Sequence, residues 1–232
     1  MTKHHKKYKK SPRKSAQHSF DLATIKPITP NQRLAFEEYF NDQHLMLLGA
    51  AGTGKTFISL YLALNDIINH QSFKKVVVVR SAVPTRDMGF LPGSEQEKLA
   101  AYTIPYKQIV NSLFGRGDAF EILTKNRTIE VMSTSYIRGQ TLEDCVVIFD
   151  ECQNGSFHEL DSVMTRIGEN SRMIFSGDIR QSDLHKSGLK RFKSITDRID
   201  QFSEIDFQLE DIVRSGLVRE YLITKHKYDR GD

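Results

Sequence analysis

Tryptophan is absent from this 232-residue chain, and there are only two cysteines and six prolines. Two cysteines, Cys145 and Cys152, are too few for a disulfide scaffold or a four-ligand zinc site, and they fit a reducing cytoplasm. With no Cys/His cluster at metal spacing around them, they read as buried fillers. No uninterrupted apolar run approaches the roughly 18 residues of a membrane span; the longest hydrophobic stretches are "VVVV" and "HLMLLGAA". The cationic start is followed by no apolar stretch, so an export signal is not expected.

What is present is a 39% share of hydrophobic side chains, enough for one globular domain and against disorder of the whole chain. Acid is missing from residues 1–20, which hold seven Lys/Arg: Lys3, Lys6, Lys7, Lys9, Lys10, Arg13 and Lys14. Those residues have no hydrophobic period and read as a disordered basic arm. Residues 21–232 then carry 26 Lys/Arg against 29 Asp/Glu, so the formal net charge of +4 belongs to the arm.

Beyond the arm, short β-branched runs alternate with helical patterns. That alternation predicts an α/β domain with a parallel sheet sandwiched by helices. Strands are expected at 44–48, 75–80, 128–132, 145–150, 172–176 and 204–209. A helix is expected over 30–40, with Pro30 in its first turn and Ala35, Phe36, Tyr39 and Phe40 on its apolar face. The Pro- and Gly-punctuated region 81–127 reads as a loop with short helices, inserted over one sheet edge.

The chemistry starts at "GAAGTGKT", Gly49, Ala50, Ala51, Gly52, Thr53, Gly54, Lys55 and Thr56, which fits G-x-x-x-x-G-K-[ST]. It follows an apolar strand and precedes a helical pattern, as a phosphate-binding P-loop must. Backbone N–H groups can curl around a polyphosphate, with the next helix adding its N-terminal dipole. Lys55 is expected on the β- and γ-phosphates and the Thr56 hydroxyl on Mg2+. The blander alternative is a Gly-rich turn.

A second oxygen source for the metal is expected at the end of a buried strand, and "CVVIFDE" supplies one. Asp150 can hold Mg2+ through water, while Glu151 can orient or deprotonate an attacking water. The alternative is that both acids merely cap a helix starting near Ser156. Lys55, Asp150 and Glu151 are expected to converge across adjacent strands on one triphosphate cradle. After the next buried strand come Gly177, Asp178 and Gln181, and Gln181 can bridge a γ-phosphate oxygen and the lytic water. His158 and His185 stand alone in polar settings and read as surface residues.

"GAAGTGKT", "FDECQN", "TRIG", "SGDIRQSDL" and "LEDIVRSGLV", in this order, resemble the PhoH-like ATPases, relatives of the first motor domain of superfamily 1 helicases. "VVVVRSAVP", "GFLPGSEQEK" and "YIRGQTLED" are also similar, and the likeness spans about residues 25–225. The resemblance implies a single RecA-like P-loop NTPase domain that hydrolyses ATP with Mg2+. It gives Gln32 of "TPNQRLA" the adenine edge, and Arg214 of "LEDIVRS" the γ-phosphate charge, with Arg80, Arg138 and Arg166 as competitors.

Ser81, Thr85 and Arg86 match the helicase segment that tracks a single strand, so RNA or single-stranded DNA is the implied partner. The cationic arm is a separate reason for the same partner. Superfamily 1 helicases close a second motor domain over the nucleotide, whereas this chain stops soon after Arg214. The missing wall is therefore expected from a neighbouring copy, in a ring or head-to-tail homo-oligomer. Two alternatives remain open: a nucleotide-gated assembly switch, and a small-molecule kinase.

Overall fold

Parallel pairing runs through the whole sheet of this computed structural model, which describes residues 20–81, 95–178 and 188–230. The strands are β1 (His44–Gly49), β2 (Lys75–Arg80), β3 (Ile129–Ser133), β4 (Cys145–Asp150), β5 (Arg172–Gly177) and β6 (Phe202–Phe207). Their spatial order is β3-β2-β4-β5-β1-β6. The basic arm through residue 19, Thr85, Arg86, Gln181 and His185 lie outside the described residues.

Side chains of a strand alternate between faces, and here each face meets its own hydrophobic layer. Leu45, Leu47, Val76, Val78, Val146, Ile148 and Ile174 point into the larger one. Helices α1 (Pro30–Phe40), α2 (Lys55–Asn65), α3 (Glu95–Leu113) and α4 (Ala119–Lys125) cover it. Met46, Leu48, Val77, Val79, Val147, Phe149 and Phe175 point the other way, beneath α5 (Phe157–Met164) and α6 (Leu189–Thr196). A strand buried on both faces must be apolar throughout, which is why β4 reads "CVVIF" before its terminal acid. Each such side chain contributes about 1.5–3 kcal/mol by leaving water.

The structure moves several sequence-based boundaries. β6 ends at Phe207 rather than 209. The chain turns there because the Asp211 carboxylate accepts from the Gln208 backbone N–H at 2.9 Å and from Asn31 Nδ2 at 2.7 Å. In α1 the core takes Ala35 and Tyr39 but leaves Phe40 51% exposed. The second half of region 81–127 is helical, and its first helix is longer than the short ones expected. It forms the 19-residue α3 and the shorter α4, packed over the β3 end of one sheet face with Tyr106, Val110, Leu113 and Phe120 buried. Pro105 lies inside α3 and hides its helical period from the sequence.

Strands β1 and β4 are not neighbours, contrary to expectation: β5 lies between them. Strand order is set by which crossover packs best, and the sequence order of two strands carries no record of a third inserted between them. The cradle therefore spans three strand ends. Helix α7 (Gly216–Arg230) follows β6 and stays largely exposed, with Leu217 at 81% and Tyr221 at 63%.

Candidate active site

Open parallel sheets gather ligands at the C-terminal ends of their strands, and Lys55, Thr56, Asp150, Glu151 and Asp178 meet there. β1 delivers Gly49 and the loop to Gly54, and α2 begins at Lys55. Gly49 has φ +120°, and an added Cβ would sit 2.7 Å from the Phe207 backbone nitrogen and closer still to its carbonyl oxygen. The first glycine is thus required by β6, whose Phe207 carbonyl accepts from Ala50 N–H at 3.0 Å, as well as by phosphate access.

Lys55 folds back along the loop, its Nζ donating to the carbonyls of Gly49 (2.9 Å) and Ala50 (2.8 Å). Burial lowers its pKa, while Asp178, Glu151 and Asp150 act in the opposite direction. Those three acids stand at or just past the ends of β4 and β5.

Thr56 Oγ1 donates to Asp150 Oδ1 at 2.9 Å, bridging the start of α2 and the end of β4 across the tip of β5. The other oxygen, Asp150 Oδ2, accepts from the Tyr106 hydroxyl at 2.9 Å, a group on α3 with no solvent exposure. Burial, followed by the charge of Asp150, raises the Tyr106 pKa well above its ordinary value, so the phenol stays a donor. Arg80 leaves the end of β2 in the same cluster, its guanidinium 5.0 Å from the Tyr102 ring centre. Burial works against its charge, but Tyr106, Asp150 and Glu151 outweigh that.

Glu151 is left-handed at φ +53°, a conformation that costs a non-glycine residue about 1–2 kcal/mol and turns the chain sharply off β4. Burial, then the neighbouring Asp150, raises the Glu151 pKa. Its Oε2 accepts from Gln153 Nε2 at 2.6 Å, and Gln153 Oε1 accepts from the Asp178 backbone N–H at 3.0 Å. Gly177 makes that bridge possible, since a Cβ there would come within 2.5 Å of Gln153 Oε1. The two acids are not caps of α5: Ser156 and Glu159 form that capping box themselves.

A cavity of about 700 Å3 opens beside these groups. Its lining includes the polar side chains of Lys55, Thr56, Glu151, Asp178 and Arg214 and the apolar ones of Ile25, Pro27, Ile28, Phe36 and Phe57. Gln32 lines it too, 6% exposed, accepting from Ile28 N–H at 2.9 Å and donating to the Thr53 carbonyl at 3.1 Å. Arg214 is held at the loop because Val213 N–H donates to the Gly52 carbonyl at 3.0 Å. Of its competitors, Arg80 joins the acids, whereas Arg138 pairs with exposed His158 at 3.1 Å and Arg166 is exposed beyond the end of α5. Ser81 donates to Glu159 Oε1 at 2.8 Å beside a second, smaller cavity.

No sequence motif assigns a role to Tyr106 or Gln153. The spacing of Tyr106, Ile109, Val110 and Leu113 carried a helical signal within a stretch that Pro105 disguised. Among the described residues no cluster of three or more His, Cys, Asp or Glu could hold a metal. Two hard oxygens, Thr56 Oγ1 and Asp150 Oδ1, still suit a cation that keeps its waters and takes its other ligands from phosphate, as Mg2+ does.

A Gly49–Thr56 loop joining an interior parallel strand to a helix, with a strand-end carboxylate bonded to its threonine, defines a P-loop NTPase fold. The chain belongs to the PhoH-like family: the profile described as "PhoH-like protein" matches residues 24–225. It is 38% identical over 175 residues to the PhoH-like protein of Bacillus subtilis (strain 168), covering 74% of this chain and 54% of that one. It is 32% identical over 215 residues to the PhoH-like protein of Mycobacterium leprae (strain TN), covering 90% and 60%. The chain thus spans little more than half the length of these relatives. Among solved structures, the large terminase from a thermophilic bacteriophage shares the fold with TM-score 0.52 at 9% identity, over 87% of this chain and 50% of that one. Among the described residues no helix is long and apolar enough to cross a membrane.

Proposed function

We propose that this protein is a Mg2+-dependent ATPase that couples ATP binding and hydrolysis to action on RNA or single-stranded DNA in the cytoplasm. One observation carries the reading: Thr56 bonded to Asp150, with Lys55 and Glu151 lining the same cavity. In this reading the P-loop N–H groups and Lys55 grip the phosphates, Lys55 leaving the carbonyls that hold it. Mg2+, when bound, neutralises charge on the β- and γ-phosphates. Thr56 and Asp150 would hold it, the carboxylate through water.

Glu151 is the base for the attacking water. Its raised pKa brings it nearer to neutrality, where a base works best, and the Gln153 bond fixes its aim. Gln181 is assigned the γ-phosphate and Arg214 the transition-state charge. The apolar side chains that line the cavity accept the base. Gln32 governs base choice either through Ile28 and Thr53, which it holds, or by exchanging one of those bonds for the adenine edge.

Arg214 lines the cavity from an exposed segment, and α7 beyond it presents Leu217, Val218, Tyr221 and Tyr228 to solvent. Exposed apolar side chains on a helix next to the site support a homo-oligomer in which a neighbouring copy completes the wall. The test measures ATP hydrolysis with and without RNA alongside mass by light scattering. Hydrolysis stimulated by polynucleotide is expected. Indifference to polynucleotide with a nucleotide-dependent change in mass would favour an assembly switch, and phosphate appearing on a metabolite would favour a kinase.

A further inference from the structure

Asp150 has both carboxylate oxygens engaged: Oδ1 by Thr56 and Oδ2 by Tyr106, each at 2.9 Å. The second bond is sealed from water, since Tyr106 is fully buried and Asp150 only 3% exposed. It is also braced. Tyr106 is anchored among Val110, Leu113 and the sheet, and Arg80 fills the space beside it, stacked on Tyr102 one helical turn away. A carboxylate pinned at both oxygens cannot turn to grip a cation with two of them.

Ca2+ gains its affinity from direct carboxylate ligands, often two oxygens at once, in a loose shell of six to eight. Mg2+ gives up its waters reluctantly and is satisfied by few protein ligands. We propose that Tyr106 is a positioning residue that sets cation preference: by capping Asp150 Oδ2 it holds the carboxylate in the orientation that accepts from a hydrated ion. The site then favours Mg2+ over Ca2+. This rests on the nucleotide-and-metal reading above, and it gives α3, which no phosphate-loop motif includes, a direct hold on the metal carboxylate.

The test titrates a fluorescent ATP analogue into the full chain in EDTA, in Mg2+ and in Ca2+. Wild type is expected to bind the analogue more tightly in Mg2+ than in Ca2+. In Y106F the Mg2+ affinity should fall by about tenfold, the size typical of a lost partner behind a metal ligand. Binding in EDTA should stay unchanged and the gap between the two ions should close. In a D150N background, Y106F should add nothing. Infrared difference spectra of wild type, with D150N identifying the band, should show the Asp150 carboxylate stretch at the same position with either ion. That readout does not depend on Y106F folding.

A wild type that binds Mg2+ and Ca2+ complexes equally overturns the proposal, as does a folded Y106F that keeps the preference. A carboxylate band that moves to a chelating position in Ca2+ does so too. Absence of analogue binding under every condition overturns the ATPase reading, and this inference with it.

Discussion

Replacing Gly49 by alanine tests whether the first glycine of the loop serves the fold before it serves phosphate. The residue sits at φ +120°, and forcing a side chain into that region costs about 1–3 kcal/mol. The new Cβ would lie 2.7 Å from the nitrogen and 2.8 Å from the carbonyl carbon of Phe207, atoms of a strand backbone that cannot swing aside. Overpacking of this kind costs about 1–3 kcal/mol. Separating β1 from β6 there also removes the bond from Ala50 N–H to the Phe207 carbonyl, about 0.5–1.5 kcal/mol. The expected loss is about 2.5–7.5 kcal/mol. At about 2–4 °C per kcal/mol for a chain of this size, the melting temperature should fall by roughly 5–30 °C. The assay is calorimetry without nucleotide. A drop below about 3 °C would refute the claim that β6, rather than a ligand, dictates this glycine.

Lys55→Ala should abolish tight binding of an ATP analogue in equilibrium titration while circular dichroism stays native, since among the described residues the lysine's hydrogen bonds go to groups of its own loop. Glu151→Gln should cut turnover by about 100-fold or more with analogue affinity retained, read by single-turnover hydrolysis, because the amide cannot take a proton. Glu159 gives a pH test. Burial pushes its pKa up, but bonds from Thr134, Ser156 and Ser81 more than reverse this and leave it lowered. A carboxyl whose folded pKa is depressed stabilises the protein above its ordinary 4.5, and that stability fades as pH falls through the folded value. Urea melts at pH 7 and pH 4 should therefore differ less in E159Q than in wild type; an unchanged pH difference in E159Q would refute the assignment.

The sequence alone determined the strand cores and the loop. β2 and β4 fall where the β-branched runs lie, and "GAAGTGKT" falls between β1 and α2, because apolar runs and backbone-permissive residues act locally. It also marked Asp150 and Glu151, since charge at the end of a wholly buried strand has few other uses. Only the tertiary structure decided that β5 separates the two acids' strand from β1, that Thr56 still reaches Asp150, and that Arg80 rather than Arg138 or Arg166 stands among the acids. Tyr106 and Gln153 entered the site the same way. Their partners lie 44 residues away, for Tyr106, and 25 for the Gln153 bond to Asp178. Contacts at such separations depend on how layers stack, and no local pattern in the chain records that.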